Sequence, residues 1–340
     1  MKVLHIITGL SNGGAEAVLT RLAMAEMQKG NQHHVVSLMN RGVYGDRLEQ
    51  AGVTVSTLNF PRGRATIKGL IQLLVLIRKM RPDVVQTWMY HADLIGGFAA
   101  RLAGVRAIAW GIRHANLDPA HNSRATLRVV RLCANLSAWI PQKIISCSAQ
   151  AALLHQAVGY RKDKFINIPN GYSMERFKPD SSGRNAVRAE QGIPEKEFVL
   201  GMVARFDVQK NHRNLVEALG VLRRQGLQFT CLLVGADMDE ENNVLRDWMA
   251  QAGIANNVKL LGPRGDIPAV MNALDVHVLS SLGEAFPNVL AEAMACGTPC
   301  VTTDVGDAAV IVANHGWIVP PQSADALAEG LIQAHDDFSN

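Results

Sequence analysis

Two glutamates eight positions apart, Glu284 and Glu292, bracket the run Ala285-Phe286-Pro287-Asn288-Val289-Leu290-Ala291 in the second half of the chain. The first falls in a loop after an apolar strand over Val276 to Ser280. The second sits one turn inside a helix that starts near Asn288. This arrangement sets helix-start N–H groups, and the positive end of the helix dipole, between two carboxylates. N–H groups suit a diphosphate, and carboxylates, as acceptors, suit hydroxyls. A nucleotide sugar offers both. Residue types alone also fit a solvated helix glutamate beside an ordinary loop glutamate. Two cations, Arg205 and Lys210, lie on a loop between a strand over Phe198 to Val203 and a helix from Asn211, where they can converge on one anion. Taken alone, they equally fit a surface loop.

The elements that must position these groups alternate strand with helix. Val3 to Thr8 reads as a strand, Gly13-Gly14 as a tight turn, Ala15 to Gln28 as a helix and Val35 to Met39 as the next strand. Val53 to Leu58, Val84 to Trp88, Ala107 to Ile112 and Lys143 to Cys147 continue the series, which demands a parallel sheet covered by helices. Residues Ile168 to Pro194 hold three prolines and three glycines with little periodicity and read as a linker and its flanks. A second series then begins at Phe198. The expected fold is α/β, two doubly wound domains over 1–170 and 196–340 with a linker over 171–195. Their ligand would lie beyond the strand C-terminal ends, in a cleft between them.

At 340 residues, 48% hydrophobic and 19% charged, the chain can bury two ordinary cores. Residues up to Asp180 hold 23 Lys/Arg and 10 Asp/Glu, the remainder 11 and 20, so the halves carry +13 and −9. The basic half suits anionic lipid, a pyrophosphate-linked acceptor or nucleic acid. Aromatics are only 5% and do not interleave with the basic residues in sequence, which argues against nucleic acid. Five scattered cysteines, an odd number, fit reduced thiols, and Cys296 with Cys300 lacks zinc half-site spacing. The apolar runs are too short for a membrane span and no leader precedes the first strand, so a cytoplasmic protein is expected.

The segment Gly283 to Pro299, with Gly297-Thr298-Pro299 and Thr303-Asp304-Val305-Gly306 after it, resembles the signature of retaining family 4 glycosyltransferases of the GT-B fold. Gly13-Gly14-Ala15-Glu16, Ile168-Pro169-Asn170-Gly171 and Arg205 through Lys210 match further pieces, so the likeness spans nearly the whole chain and points to bacterial O-antigen and polysaccharide synthesis. The resemblance implies that Arg205 and Lys210 bind the donor diphosphate and neutralise charge on the leaving nucleotide. Glu284 would bind hydroxyls of the transferred sugar and Glu292 the ribose. Phe286 and Pro287 would also bind the donor, the backbone of Asn288, Val289 and Leu290 would hold phosphates, and Gly13 and Gly14 would close over the diphosphate. No metal, no other cofactor and no covalent nucleophile is expected; the acid-rich run Asp237 to Glu241 reads as a solvated loop. Where many members end a strand with His, this chain has Arg113 beside His114, and His91 is a third candidate. Such enzymes usually continue into a last helix that crosses back to the first domain; here the chain stops after a helix-like stretch, Ala324 to His335.

The donor is expected to be a UDP-sugar carrying a hexose or N-acetylhexosamine. The acceptor is expected to be a glycan carried on lipid, met at the inner face of the membrane. A helix over Ser123 to Ile140 with Arg124, Arg128 and Arg131 on one face and Leu127, Ala134 and Ala138 on another, and the segment Pro61 to Pro82 with Arg62, Arg64, Lys68, Arg78, Lys79 and Arg81, suit an anionic membrane surface. Rival readings are a sugar-nucleotide epimerase of the same architecture and a noncatalytic nucleotide-sugar-binding protein.

Overall fold

The computed structural model describes residues 1–11, 13–61, 65–119 and 122–339. The chain divides into two compact units, Met1–Gly171 and Tyr172–Asn340. Arg62 and Arg64 lie outside the described residues.

The first unit runs β1 (Lys2–Ile7), α1 (Gly14–Met27), β2 (Gln32–Ser37), α2 (Gly42–Gln50), β3 (Thr54–Thr57), α3 (Ile67–Met80), β4 (Val84–Trp88), α4 (Tyr90–Leu102), β5 (Ile108–Ile112), α5 (Arg124–Leu136), β6 (Lys143–Ser146), α6 (Ala149–Val158) and β7 (Phe165–Asn167). Its strands form one parallel sheet in the order β3-β2-β1-β4-β5-β6-β7. Five of the six residues of β1 are buried, as befits a strand covered on both faces. Right-handed crossovers place α1 and α2 on one face and α3 to α6 on the other. Accordingly α1 packs on α2, α3 on α4 and α4 on α5.

The second unit runs α7 (Ser181–Glu190), β8 (Val199–Val203), α8 (His212–Arg224), β9 (Thr230–Val234), α9 (Asn243–Gln251), β10 (Val258–Leu260), α10 (Ile267–Ala273), β11 (Val276–Leu279), α11 (Asn288–Ala295), β12 (Cys300–Thr303), α12 (Ala308–Val312), β13 (Gly316–Val319) and α13 (Ala324–Ser339). Its sheet order is β10-β9-β8-β11-β12-β13, again parallel. In each sheet the strand order reverses once, between β1 and β4 and between β8 and β11. Ligands of such sheets bind beyond the strand ends at that reversal.

Two expectations need correction. The segment expected as a linker, 171–195, contains α7, which is anchored in the second unit by polar contacts that hydrophobic periodicity does not register. Asp180 caps the helix by accepting from Ser182 N–H at 3.0 Å. Arg184 and Arg188 then reach the two oxygens of buried Asp275 at 2.6 and 2.8 Å, and Asp275 also accepts from the Val199 N–H. Helix α5 ends at Leu136, short of Ala138, which is exposed. Ala134 is buried with Val130 and Cys133 of the same helix, so this face of α5 serves its own core.

Candidate functional site

Beyond β8 and β11 the second unit collects most of the residues singled out in the sequence. After β8 the chain forms a single 3₁₀ turn, Val208–Lys210, and enters α8 through Asn211 in the left-handed region (φ 51°). This turn points Lys210 across to the loop after β11. Its Nζ donates to Glu284 Oε1 at 2.5 Å, and Ser281 Oγ donates to the same oxygen at 2.8 Å. The two loops are joined by backbone as well: Ser280 Oγ donates to the Lys210 and Asn211 carbonyls, and Leu282 N–H to the Gln209 carbonyl. Arg205, half-exposed, pairs instead with Asp207 at 3.2 Å. Beneath them His277 and His212 are buried, and burial, with nearby Lys210 adding to it, pulls their pKa values down to about 3 and about 4. Both imidazoles are neutral at pH 7 and leave the positive charge to Arg205 and Lys210.

Helix α11 starts at Asn288 after Pro287, whose side chain offers no cap to the first-turn N–H groups. Leu290, expected as a phosphate donor, gives its N–H to the Pro287 carbonyl at 3.1 Å. Val289 stands in the open first turn, and Glu292 falls one turn after Asn288 on the same helix face. Phe286 stacks on Tyr172 (centroids 6.5 Å apart, planes at 20°), and the Tyr172 hydroxyl donates to Asn288 Oδ1 at 2.7 Å. Tyr172 escaped the sequence reading because it lies 116 residues from its partner; its place directly after Asn170-Gly171 was the available signal. Gly306, from the expected Thr303-Asp304-Val305-Gly306 segment, has φ 55°, and a β-carbon there would collide with the Glu284 and Ala285 carbonyl oxygens. The glycine lets the Glu284 loop close against the turn after β12.

The other candidates line the strand ends of the first unit. Gly13 is the N-cap of α1 and Gly14 its first residue. A β-carbon on Gly13 would strike the carboxylate of Glu16, which is buried at the same helix start. His91 is the second residue of α4, half-buried, its pKa lowered by burial. It follows Met89, a non-glycine residue at φ 71°, ψ 157°, a conformation that stores strain at the β1/β4 reversal. Arg113 lies over the Trp88 ring at 4.5 Å and donates to Asn170 Oδ1 at 2.7 Å. Two separately noted pieces, the Arg113-His114 pair and Ile168-Pro169-Asn170-Gly171, therefore meet. Asp93, overlooked in the sequence, is fully buried below them. It accepts from the Thr87 hydroxyl and the Gly111 N–H, and burial carries its pKa up to about 8 despite the Arg113 charge. Of the Arg113-His114 pair, His114 is half-buried.

Two parallel doubly wound units, each with its polar residues at the strand-order reversal, define a GT-B fold. Residues 12–176 match the Glycosyltransferase Family 4 model and residues 183–338 the model for Glycosyl transferases group 1. The chain belongs to glycosyltransferase family 4. It is 26% identical, over 80% of its length and 71% of the relative's, to the Escherichia coli UDP-Gal:alpha-D-GlcNAc-diphosphoundecaprenol alpha-1,3-galactosyltransferase. It is 23% identical, over 95% and 87%, to the Campylobacter jejuni N,N'-diacetylbacillosaminyl-diphospho-undecaprenol alpha-1,3-N-acetylgalactosaminyltransferase. Among solved structures, Anabaena Alr3699/HepE in complex with UDP superposes with a TM-score of 0.86 at 26% identity, covering 99% of this chain and 91% of that one.

Proposed function

We propose that this glycosyltransferase moves a hexose or N-acetylhexosamine from a UDP-sugar, with retention of anomeric configuration and without a divalent metal, onto a lipid-linked glycan during cell-surface polysaccharide or lipopolysaccharide synthesis. The observation that carries the reading is the meeting of Lys210, Glu284 and the uncapped start of α11 at one strand-order reversal. The relatives' names support it: two act on undecaprenol-diphosphate acceptors, and Alr3699/HepE was solved with UDP and with UDP-glucose.

In this reading the α11 start takes the diphosphate, and Arg205 with Lys210 supplies the charge that a metal would otherwise bring to the leaving UDP. Glu284 holds its protein partners on Oε1 and turns Oε2 to the sugar hydroxyls, while Glu292 accepts from the ribose. The role proposed for Gly13 and Gly14 is contact with the diphosphate, and for Arg113, His114 and His91 contact with the sugar or acceptor. The protein offers position and charge and no nucleophile; a donor phosphate oxygen takes the acceptor's proton on the face the leaving group vacates.

The test is calorimetric titration with EDTA present against UDP, GDP and ADP, on the native chain and on Glu292→Ala and Lys210→Ala. Micromolar binding of UDP alone, lost in both variants, is the expected result. Equal binding of all three would refute the donor assignment, and an inverted anomer in the product would refute retention.

A further inference from the structure

Helix α3 is apolar on two faces. Gly69, Leu73 and Ile77 are buried in the unit. Ile67, Ile71 and Val75, at every fourth position on another face, are 78%, 57% and 57% exposed. A helix hydrophobic all round is normally enclosed, and α3 is enclosed on one side only. Its neighbours in the same helical layer repeat the feature. Phe98 and Leu102 of α4 and Leu132 of α5 stand exposed, and Trp139, just past α5, is 49% exposed. Trp139 meets Phe98 edge-on with ring centres 6.2 Å apart, and the Arg101 guanidinium lies 5.8 Å from its ring. Lys164 binds the carbonyls of Ser137, Ala138 and Pro141, which holds the Trp139 loop in this outward position.

The charge on this layer has one sign. Helix α3 carries Lys68, Arg78 and Lys79, α4 carries Arg101, and α5 carries Arg124, Arg128 and Arg131. The one carboxylate on the three helices is Asp93, which is buried. Beside α3 a groove of about 880 Å³ runs to the strand-start edge of β1 to β3, lined by Met27, Ile71, Val75, Leu76 and Met80 together with Lys2 and Lys79. His33 lines it too, and its buried Nε2 has no hydrogen-bond partner.

We propose that the α3–α4–α5 layer docks on an anionic bilayer, with Ile67, Ile71, Val75, Phe98 and Trp139 entering the headgroup–acyl boundary and an acyl chain lodged in the groove beside α3. The proposal rests on the reading of a lipid-linked acceptor and adds the surface by which the enzyme meets the lipid. Exposed apolar side chains ringed by Lys and Arg, with an indole at their edge, match the apolar and anionic layers of a membrane interface in turn. A second copy of the same face would set cation against cation.

The experiment is flotation of the full chain with phosphatidylglycerol–phosphatidylcholine vesicles and with pure phosphatidylcholine vesicles, in parallel with UDP titration. The native chain is expected to float with the anionic vesicles only. Ile71→Asp/Val75→Asp and, independently, Lys68→Gln/Lys79→Gln should each weaken partitioning by about 20-fold and leave UDP affinity and the melting curve unchanged. Undiminished partitioning of both variants, equal flotation with neutral vesicles, or a lipid-free dimer that the Asp variant dissolves would overturn the proposal. Loss of UDP binding in the native chain, with flotation retained, would instead count against the donor reading alone.

Discussion

Lys210 donates to the same Glu284 oxygen as Ser281, so its charge is held a few ångströms from where a sugar and its leaving phosphate would part. Removing that cation leaves charge on the leaving group uncompensated in a half-buried site. Lys210→Ala is expected to lower kcat/KM by about 10²- to 10³-fold, as steady-state kinetics would report. Tyr172 acts at one remove: it stacks on Phe286 and donates to Asn288, so it positions the α11 start. Tyr172→Phe keeps the stack and loses the hydrogen bond. It should raise the Kd for UDP about fivefold, near 1 kcal/mol, with kcat unchanged; an unaltered Kd would remove Tyr172 from the donor site.

Two elements outside the strand series hold the second unit in shape. Helix α7 depends on Asp275, which meets Arg184, Arg188 and the Val199 N–H together. Asp275→Ala would strand the buried Arg188 guanidinium and should cost about 3–5 kcal/mol in urea unfolding. The double change Arg188→Met/Asp275→Leu, which removes both charges, should recover much of that loss. The turn after β12 depends on Gly306. Gly306→Ala combines a disfavoured positive φ with a collision against two carbonyls, so a loss of more than about 1 kcal/mol is expected. Because the displaced carbonyls belong to Glu284 and Ala285, nucleotide affinity should fall with it.

At the scale of the whole molecule, the units should answer differently to pH. His5 and His155 in the first unit and His277 and His212 in the second are buried, and burial pulls their pKa values down to about 3 or 4. An unfolded histidine titrates at about 6.5, so both units lose stability as pH falls below that value and the unfolded chain gains protons that the native chain refuses. Asp93 adds an opposite limb to the first unit only. Its native pKa of about 8 lies above an unfolded value near 3.9, so the native chain holds a proton that the unfolded chain has released. Stability from Asp93 is therefore full below about pH 4 and declines toward pH 8. Two histidines outweigh one aspartate on the acid side. The first unit should melt highest near pH 6.5 and lower toward pH 8, while the second stays level, and calorimetry of Asp93→Asn should show the alkaline decline abolished.

Sequence alone determined the repeating strand–helix rhythm, the two parallel sheets and the placement of Arg205, Lys210, Glu284 and the α11 start at strand ends. Those signals are local: a buried parallel strand reads as an apolar run, Pro287-Asn288 announces a helix start, and Glu292 follows Asn288 by one turn. Glycine positions such as Gly306 were legible as part of a segment, though not the carbonyls that require them. Tertiary structure decided which strand ends become neighbours, and with them every contact that crosses the sheet. Lys210 meets Glu284 across 74 residues and Arg188 meets Asp275 across 87. It also decided that α7 belongs to the second unit, that Asp93 lies buried under Arg113, and that an apolar face of α3 remains outside. A charged group's partner, and the side of a two-faced apolar helix that is covered, depend on strand order and helix layering, which a pattern of period 2 or 3.6 does not encode.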